Sequence, residues 1–174
     1  HVPVARGKER SERELRARAE VLEATDDGIE ALAKSDTVAN LLPATSFFLM
    51  SDRYAPARQL IDLGGMVSLS PDCNPGSSMT ESMQMVVQLA TLRMKMTVEE
   101  SLTAATLNGA HSLRMAGDIG SIEAGKRADF ILLDAPSYLH LAYRPGVPLV
   151  SDVWRGGELA WSAHTGHEKA RALR

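Results

Sequence analysis

Two short apolar stretches that alternate with helical patterns constrain the fold of this chain more than any other feature. Segments 37–43 (TVANLLP) and 66–70 (MVSLS) are rich in apolar and β-branched residues and run into prolines, which is typical of short buried strands. In 26–36 and 55–65, apolar residues recur at helical spacing. Alternation of this kind predicts parallel β–α units, in which functional side chains gather at the carboxyl ends of the strands.

The helical patterns predict which side chains face the core. The first two helices are expected to turn six residues inward: Ile29, Leu32, Ala33, Leu60, Ile61 and Leu63. A longer helix is predicted over 79–95, and its Met-rich face is expected to pack in the core through Met79, Met83, Val86, Val87, Ala90 and Met94. Thr97 and Glu100 have the spacing of a capping box, which predicts a helix that continues through 101–113 and breaks near Gly109.

The pattern changes to β structure in the last third of the chain. Gly120 and Gly125 bound a predicted tight turn, and Asp129 opens a strand that runs over 129–133. Residues 149–161 read as a hairpin, because Gly156-Gly157 suits a two-residue turn that needs positive φ angles. This part is therefore predicted to be a separate β-rich unit.

Charge and composition exclude several classes of partner. The formal net charge of −3 is too small to indicate nucleic acid or a membrane surface as a partner. Apolar runs stay well short of the roughly 20 residues that span a bilayer, and no signal peptide is recognised. The single cysteine fits a reducing compartment, so we expect a cytoplasmic protein.

Acidic and basic residues spaced four apart in 6–20 predict a solvated, charged helix.

The candidate site is the turn 70–78 (SPDCNPGSS), which directly follows the second predicted strand. An Asp-x-Asn-Pro-Gly sequence predicts a turn without any functional role, since Asp, Asn, Pro and Gly all favour turns. The turn also lies at the carboxyl end of a predicted strand, where sites gather in parallel β–α units, which makes it a candidate site. Cys73 has no His or Cys partner motif and is expected to pack inward.

Several motifs resemble known enzymes. The stretch 120–134 (GSIEAGKRADFILLD), the hairpin end 153–161 (VWRGGELAW) and the preceding 107–113 (LNGAHSL) resemble the C-terminal signature of the amidohydrolase superfamily. Within it, three stretches resemble the imidazolonepropionase branch: 37–49, 70–78 and 141–150.

The resemblance implies an α/β fold that is part of a (β/α)8 amidohydrolase barrel, followed by strands of a small β-sandwich. The last barrel units are expected over 25–116 and the sandwich strands over 117–161. A divergent charged helical segment over 1–24 and a polar tail over 162–174 are expected to flank them. A complete barrel takes about 200–250 residues, so a chain of 174 residues that also includes sandwich strands is too short to close one.

The resemblance also implies an activity. These enzymes are metal-dependent hydrolases of a cyclic amide, and they convert imidazolone propionate and water to N-formimidoyl-glutamate in histidine degradation. Asp72 matches the residue that binds the divalent metal, zinc or iron, and accepts the proton of the attacking water. Asn74, Gly76 and Ser77 match residues that contact the substrate. A small-molecule substrate and a homo-oligomer are expected.

The histidines depart from the family pattern. The chain has no His-x-His pair, and the sixth-strand histidine of the family aligns with Val21. Of the remaining histidines, His111 is expected to pack in a helix, His140 to lie in a loop, and His164 and His167 to belong to the tail. The chain is thus expected to lack most of the metal ligands.

Two other functions remain open. The tail signature is shared by other amidohydrolases, such as nucleobase deaminases, so the substrate class is not fixed by it. Alternatively, the missing ligands suit an inactive or complementing piece that acts by self-association, because open edges of parallel strands invite pairing with another chain.

Overall fold

A computed structural model describes residues 24–164, which form α/β structure with two small sheets. The elements in chain order are α1 (Asp26–Ala33), β1 (Ala39–Leu41), α2 (Pro43–Phe48), α3 (Ala57–Asp62), β2 (Val67–Leu69), α4 (Met83–Met94), α5 (Val98–Ala105), α6 (Leu107–Ser112), β3 (Phe130–Leu133), α7 (His140–Tyr143), β4 (Val150–Arg155) and β5 (Glu158–Ser162). The predicted charged helix in 6–20, Val21 and His167 lie outside the described residues.

The two predicted β–α strands pair in parallel. In the β1–β2 register, Ala39 lies opposite Val67 and Leu41 lies opposite Leu69. All four side chains are buried, because alternate residues of a strand face the same side and this side is covered by helices. The predicted parallel arrangement is confirmed.

Proline ends β1 as predicted, but it also begins a helix that was not predicted. Pro43 occupies the start of α2, where its missing N–H costs nothing and its fixed φ suits the helix. The first turn of α2 is buried, but the four residues after it have exposed apolar side chains: Phe47, Phe48, Leu49 and Met50.

Helices α1 and α3 pack on the parallel sheet largely as expected. Ile29, Ala33 and Leu60 are buried in the core, and Leu32 and Ile61 pack against it while partly exposed. The inward prediction for Leu63 is wrong, since its side chain is 45% exposed. The helix ends at Asp62, so the following residue leaves the helical face as the chain turns into Gly64.

The long Met-rich helix, α4, is shorter than the predicted range 79–95. Helix α4 begins at Met83, where the Ser82 hydroxyl accepts a hydrogen bond from the Met85 main-chain N–H over 3.2 Å. Residues 79–82 therefore precede the helix, and Met79 is exposed rather than part of the core. The other predicted core residues of this face are buried or partly buried: Met83, Val86, Val87, Ala90 and Met94.

The capping box at the start of α5 is confirmed. The Glu100 N–H donates to Thr97 Oγ1 over 3.1 Å, and the Thr97 N–H donates to Glu100 Oε2 over 2.8 Å. The break predicted near Gly109 occurs earlier, at Thr106, whose φ of −119° and ψ of −86° are not helical. Gly109 lies inside α6 instead.

The antiparallel sheet has the order β3–β4–β5. The predicted hairpin between β4 and β5 is confirmed, with φ angles of 59° at Gly156 and 82° at Gly157. Both angles are positive, as a type I′ turn requires, and glycine adopts them without steric cost. His140 begins the short helix α7 rather than lying in a loop.

Two glutamine side chains join the segment between β3 and β4 to helix α4. Gln84 Nε2 donates to the Val147 carbonyl over 2.7 Å, and Gln84 Oε1 accepts from the Leu149 N–H over 3.2 Å. Gln88, one helical turn further on, donates to the Leu141 carbonyl over 2.9 Å. These bonds satisfy main-chain groups of α7 and of the loop that follows it, and so fix this segment against α4.

No helix within residues 24–164 combines the length and the apolar character that crossing a membrane requires.

Candidate active site

Asp72 and Thr45 lie beyond the carboxyl ends of the two paired strands. Asp72 follows β2 by three residues, and Thr45 sits in the first turn of α2, directly after β1. Thr45 Oγ1 donates a hydrogen bond to Asp72 Oδ2 over 2.8 Å. Thr45 is buried and Asp72 is half-buried, so the contact is partly shielded from water. The parallel pairing thus places a carboxylate and a hydroxyl at one edge of the sheet.

The main chain at Asp72 is in the left-handed region, with a φ of 53°. This conformation costs an L-residue about 1–2 kcal/mol, although aspartate tolerates it better than most residues because its short side chain can hydrogen-bond locally. The chain changes direction here, and the following residue, Cys73, is exposed. The prediction that Cys73 packs inward is therefore wrong.

The side chain of Asn74 organises the turn. Its Nδ2 donates to the main-chain oxygen of Asp72 over 2.7 Å and to Ser77 Oγ over 2.9 Å. Its Oδ1 accepts from the N–H groups of Gly76 over 2.9 Å and of Ser77 over 3.0 Å. Side-chain bonds to main-chain groups two and three residues away are the usual means by which asparagine fixes a turn.

Ser77 closes the turn onto the carboxylate. Its Oγ lies 3.3 Å from Asp72 Oδ2, the same oxygen that Thr45 contacts. The neighbouring Ser78 is buried. Its main chain forms an isolated antiparallel bridge with the main chain of Asn74. The structure therefore brings Asp72, Asn74, Gly76 and Ser77 together in one loop.

A polar row on strand residues leads up to this loop. Ser68 Oγ donates to Asn40 Oδ1 over 3.2 Å, and Asn40 Nδ2 donates to Ser70 Oγ over 3.1 Å. Asn40 and Ser68 are register partners, on the face of the parallel pair opposite the buried Leu41. Polar side chains on this face contrast with the apolar face that packs on the helices.

The described histidines do not join Asp72. His111 lies in α6 and is exposed, so its expected packing role is wrong. His140 is half-buried in α7, with its Nδ1 lying 3.2 Å from the Ser137 carbonyl, and His164 is exposed.

The donor set in residues 24–164 does not fit a metal ion on its own. No group of three or more His, Cys, Asp or Glu side chains in this part of the chain could hold one. A metal site needs several such ligands around one ion, and Asp72 supplies a single carboxylate.

A large apolar cavity lies beside the polar row rather than at the loop. Its volume is about 1760 Å³, and it lies between α4, the α5–α6 region and the antiparallel sheet. Ser68 and Ser70 line one side of it, whereas Asp72, Asn74 and Ser77 do not. The cavity alone therefore does not define the candidate site.

Thr45 is the site residue that sequence reasoning missed. Its position relative to β1 parallels that of Asp72 relative to β2, since both follow the carboxyl end of a strand in a parallel pair. Its place in a helix that was not predicted concealed this relation.

Comparisons with known proteins now define the class. The model of the amidohydrolase family matches residues 11–160. The chain belongs to the amidohydrolase family. The predicted resemblance is thereby confirmed.

Within the family, the sequence is similar to imidazolonepropionases. That of Rhodococcus jostii is 59% identical over 150 residues, which are 86% of this chain and 36% of the relative. That of Nocardia farcinica is 52% identical over 80% of this chain and 35% of the relative. The chain spans about a third of the length of these curated relatives.

Solved amidohydrolase structures share the fold. An adenosine deaminase from Xanthomonas campestris with bound zinc superposes with a TM-score of 0.72 and 26% identity, over 82% of this chain and 36% of the deaminase. Atrazine chlorohydrolase from Arthrobacter aurescens, complexed with zinc and atraton, superposes with a TM-score of 0.71 and 20% identity, over 82% of this chain and 35% of that enzyme. The predicted fold class, part of a (β/α)8 amidohydrolase barrel followed by strands of a small β-sandwich, is confirmed: amidohydrolases of this fold cover most of the chain, and β3, β4 and β5 form a small antiparallel sheet.

Proposed function

We propose that the chain supplies part of a hydrolase that opens a C–N bond of a cyclic amide, with imidazolone propionate as substrate and N-formimidoyl-glutamate as product. One observation carries the proposal. Asp72 stands at the carboxyl end of β2, with hydroxyl groups on its Oδ2, in a chain 59% identical to an imidazolonepropionase. Sites of barrel enzymes lie at this end of the strands.

Asp72 is the proposed proton acceptor. In the reaction, the oxygen of a water molecule bonds to the ring carbonyl carbon, and the bond from that carbon to a ring nitrogen breaks. Asp72 accepts the proton of the attacking water, and the departing nitrogen takes up a proton in turn. The carboxylate is half-buried, so it lies within reach of a bound substrate while its orientation is fixed by neighbours.

Asn74, Gly76 and Ser77 are the proposed substrate contacts. Gly76 is exposed and has no side chain, so a ligand can approach the main chain closely there. Ser77 offers a hydroxyl beside the Asp72 carboxylate. Asn74 holds both of them in place, because its side chain bonds to the main-chain N–H groups of Gly76 and Ser77.

A divalent metal, zinc or iron, is proposed as cofactor, with Asp72 as one ligand. Zinc-bound adenosine deaminase of the same fold supports a metal of this kind. Because the described residues do not form a metal-binding group, the remaining ligands have to come from outside residues 24–164.

A hybrid enzyme tests the activity. Residues 24–164 replace the matching segment of the Rhodococcus jostii relative, and hydrolysis of imidazolone propionate is measured beside deamination of adenosine, guanine and cytosine. We expect turnover of imidazolone propionate alone, and loss of turnover in Asp72→Asn. Asparagine is the matched substitution because it tolerates a positive φ. A folded hybrid that acts only on a deaminase substrate, or an active Asp72→Asn variant, would contradict the proposal.

Self-association is a second candidate function, and the surface favours it. The parallel sheet has two strands in the described part of the chain, and Phe47, Phe48, Leu49 and Met50 expose apolar side chains next to it. Contiguous exposed apolar groups of this kind mark interaction sites. The proposed homo-oligomer predicts a solution mass at least twice the 18.8 kDa of one chain, measured by light scattering. A monomeric mass at micromolar concentration would exclude it.

A further inference from the structure

We propose that Thr45 is a positioning residue that fixes the carboxylate of Asp72. The inference rests on the proposed function only in assigning a reaction to Asp72. Its structural content, that the Thr45 hydroxyl sets the orientation of the Asp72 side chain, is tested separately.

Of the two hydroxyls that contact Asp72 Oδ2, that of Thr45 lies nearer. The distance from Thr45 Oγ1 to Asp72 Oδ2 is 2.8 Å, whereas Ser77 Oγ lies 3.3 Å from the same oxygen. A hydrogen bond from a hydroxyl to an ionised acceptor is stronger than a hydrogen bond between neutral groups. The strength of such a bond falls as the distance between donor and acceptor grows. Of these two hydroxyls, that of Thr45 is therefore the main restraint.

Thr45 is itself held rigidly. Its side chain is 7% exposed, and the first turn of α2 is buried from Pro43 to Ser46. Its N–H donates to the Leu42 carbonyl over 3.1 Å, and its carbonyl accepts from the Leu49 N–H over 3.0 Å. A β-branched side chain in a helix has few rotamers, so the hydroxyl has a defined direction.

The hydroxyl of Thr45 also differs from other helical hydroxyls in this chain. Those of Thr91, Ser101 and Ser112 donate to main-chain carbonyls three or four residues back in the chain. For Thr45, the carbonyl four residues back belongs to Leu41, which accepts the N–H of Ser70, the residue after β2, over 3.2 Å. Thr45 donates instead to a side chain 27 residues away in sequence.

Positioning matters here because the main chain under the carboxylate is strained. Asp72 has a φ of 53°, and the Asn74 side chain holds its carbonyl, so the backbone direction is fixed by the loop. The remaining freedom is rotation of the carboxylate about its side-chain bonds, which the Thr45 contact restricts. A displacement of about 1 Å at a reacting group can lower a rate about 100-fold.

Side-chain couplings of Asp72 in the isotope-labelled chain test the inference directly. We expect one Asp72 χ1 rotamer in the natural chain, rotamer averaging in Thr45→Val, and return to one rotamer in Thr45→Ser, which restores the hydroxyl. Thr91→Val is the matched control, because it removes a helical hydroxyl that bonds within its own helix. If Thr45→Val does not fold, Thr45→Ala removes the hydroxyl without placing a methyl group against the loop.

An unchanged single rotamer in a folded Thr45→Val or Thr45→Ala variant would overturn the inference. In the hybrid enzyme, we expect Thr45→Val to lower kcat by about 10- to 100-fold with KM little changed, and Thr45→Ser to restore it. An inactive natural hybrid would overturn the proposed function, while the rotamer result would still decide the role of Thr45.

Discussion

The side-chain amide of Asn74 donates to the main-chain oxygen of Asp72 over 2.7 Å, which ties the residue that organises the loop to the residue proposed for catalysis. Asn74 also bonds to Gly76 and Ser77. We predict that Asn74→Ala lowers the free energy of unfolding by about 1–3 kcal/mol, since several partly buried hydrogen bonds worth about 0.5–1.5 kcal/mol each are lost. Urea denaturation measures the change.

Asn40→Ala is the control for this prediction. Asn40 is exposed, and among the described residues its side chain bonds only to the side chains of Ser68 and Ser70, so a smaller loss is expected. In the hybrid enzyme, Asn74→Ala should weaken use of the substrate more than it weakens metal binding. Loss of metal with unchanged use of substrate would show that our roles for the loop residues are misassigned.

Sequence patterns predicted the parts of the fold that depend on local chemistry. The capping box of Thr97 and Glu100, the Gly156-Gly157 hairpin and the buried strand at Val67–Leu69 all follow from residue types at fixed spacing. These features need little information about distant residues, which explains why the sequence was sufficient for them.

Element boundaries and long-range contacts were predicted less well. The pattern through Met79 continues the helical period, but the Ser82 cap starts the helix later. Helix α2 contains β-branched and aromatic residues with weak helical preference, and a proline begins it. The contact between Thr45 and Asp72 joins two β–α units and depends on strand pairing, which no local pattern specifies.

Gly120 packs too closely against α6 to accept a side chain. A Cβ there would lie 2.7 Å from the Ala110 Cβ and 3.0 Å from the Leu107 Cα, and φ is 98°. We predict that Gly120→Ala lowers the free energy of unfolding by about 1–2 kcal/mol from backbone strain and by about 1–3 kcal/mol more from overpacking. Gly125→Ala is the control, since its φ is 91° and a Cβ would meet nothing within 4 Å. Equal losses in the two variants would show that the packing at Gly120 can relax.

Glu100 has two roles, and substitutions can separate them. Its Oε2 accepts from the Thr97 N–H over 2.8 Å and pairs with Arg58 Nη1 over 2.8 Å, and the Arg58 hydrogen bond lowers the pKa of Glu100. Arg58 also pairs with the exposed Asp62, and its own side chain is about one-third exposed, so Arg58→Met, which removes both surface pairs, should cost little. Glu100→Ala should cost more, about 1–2 kcal/mol, because the cap is lost as well.

Glu100→Gln supplies the matched test. The glutamine oxygen can still accept the Thr97 N–H, and Arg58 keeps its pair with Asp62, so this variant should be at least as stable as Arg58→Met. The urea midpoints of the three variants show whether the cap or the ion pair of Glu100 contributes more to stability. A Glu100→Gln variant as unstable as Glu100→Ala would mean that the ion pair, and not the cap, dominates.

Asp129 gives the antiparallel sheet a predictable response to acid. The Gly156 main-chain N–H donates to Asp129 Oδ1 over 2.7 Å and Arg127 pairs with Oδ2, and these contacts, the first foremost, lower the pKa of Asp129. A carboxyl with a lowered pKa in the folded state stabilises the fold above its unfolded pKa of about 3.9 and loses this contribution as the pH falls through the folded pKa.

The stability of the natural chain minus that of Asp129→Asn should therefore be constant above about pH 5 and should shrink as the pH falls below about 4. Urea denaturation of both proteins, from above pH 5 to well below pH 4, measures this difference, and taking the difference removes the contributions of the other acidic groups. Arg127→Gln leaves the Gly156 bond in place, so it should retain most of the pH response. If Arg127→Gln abolishes the response, the guanidinium and not the main-chain N–H controls the titration of Asp129.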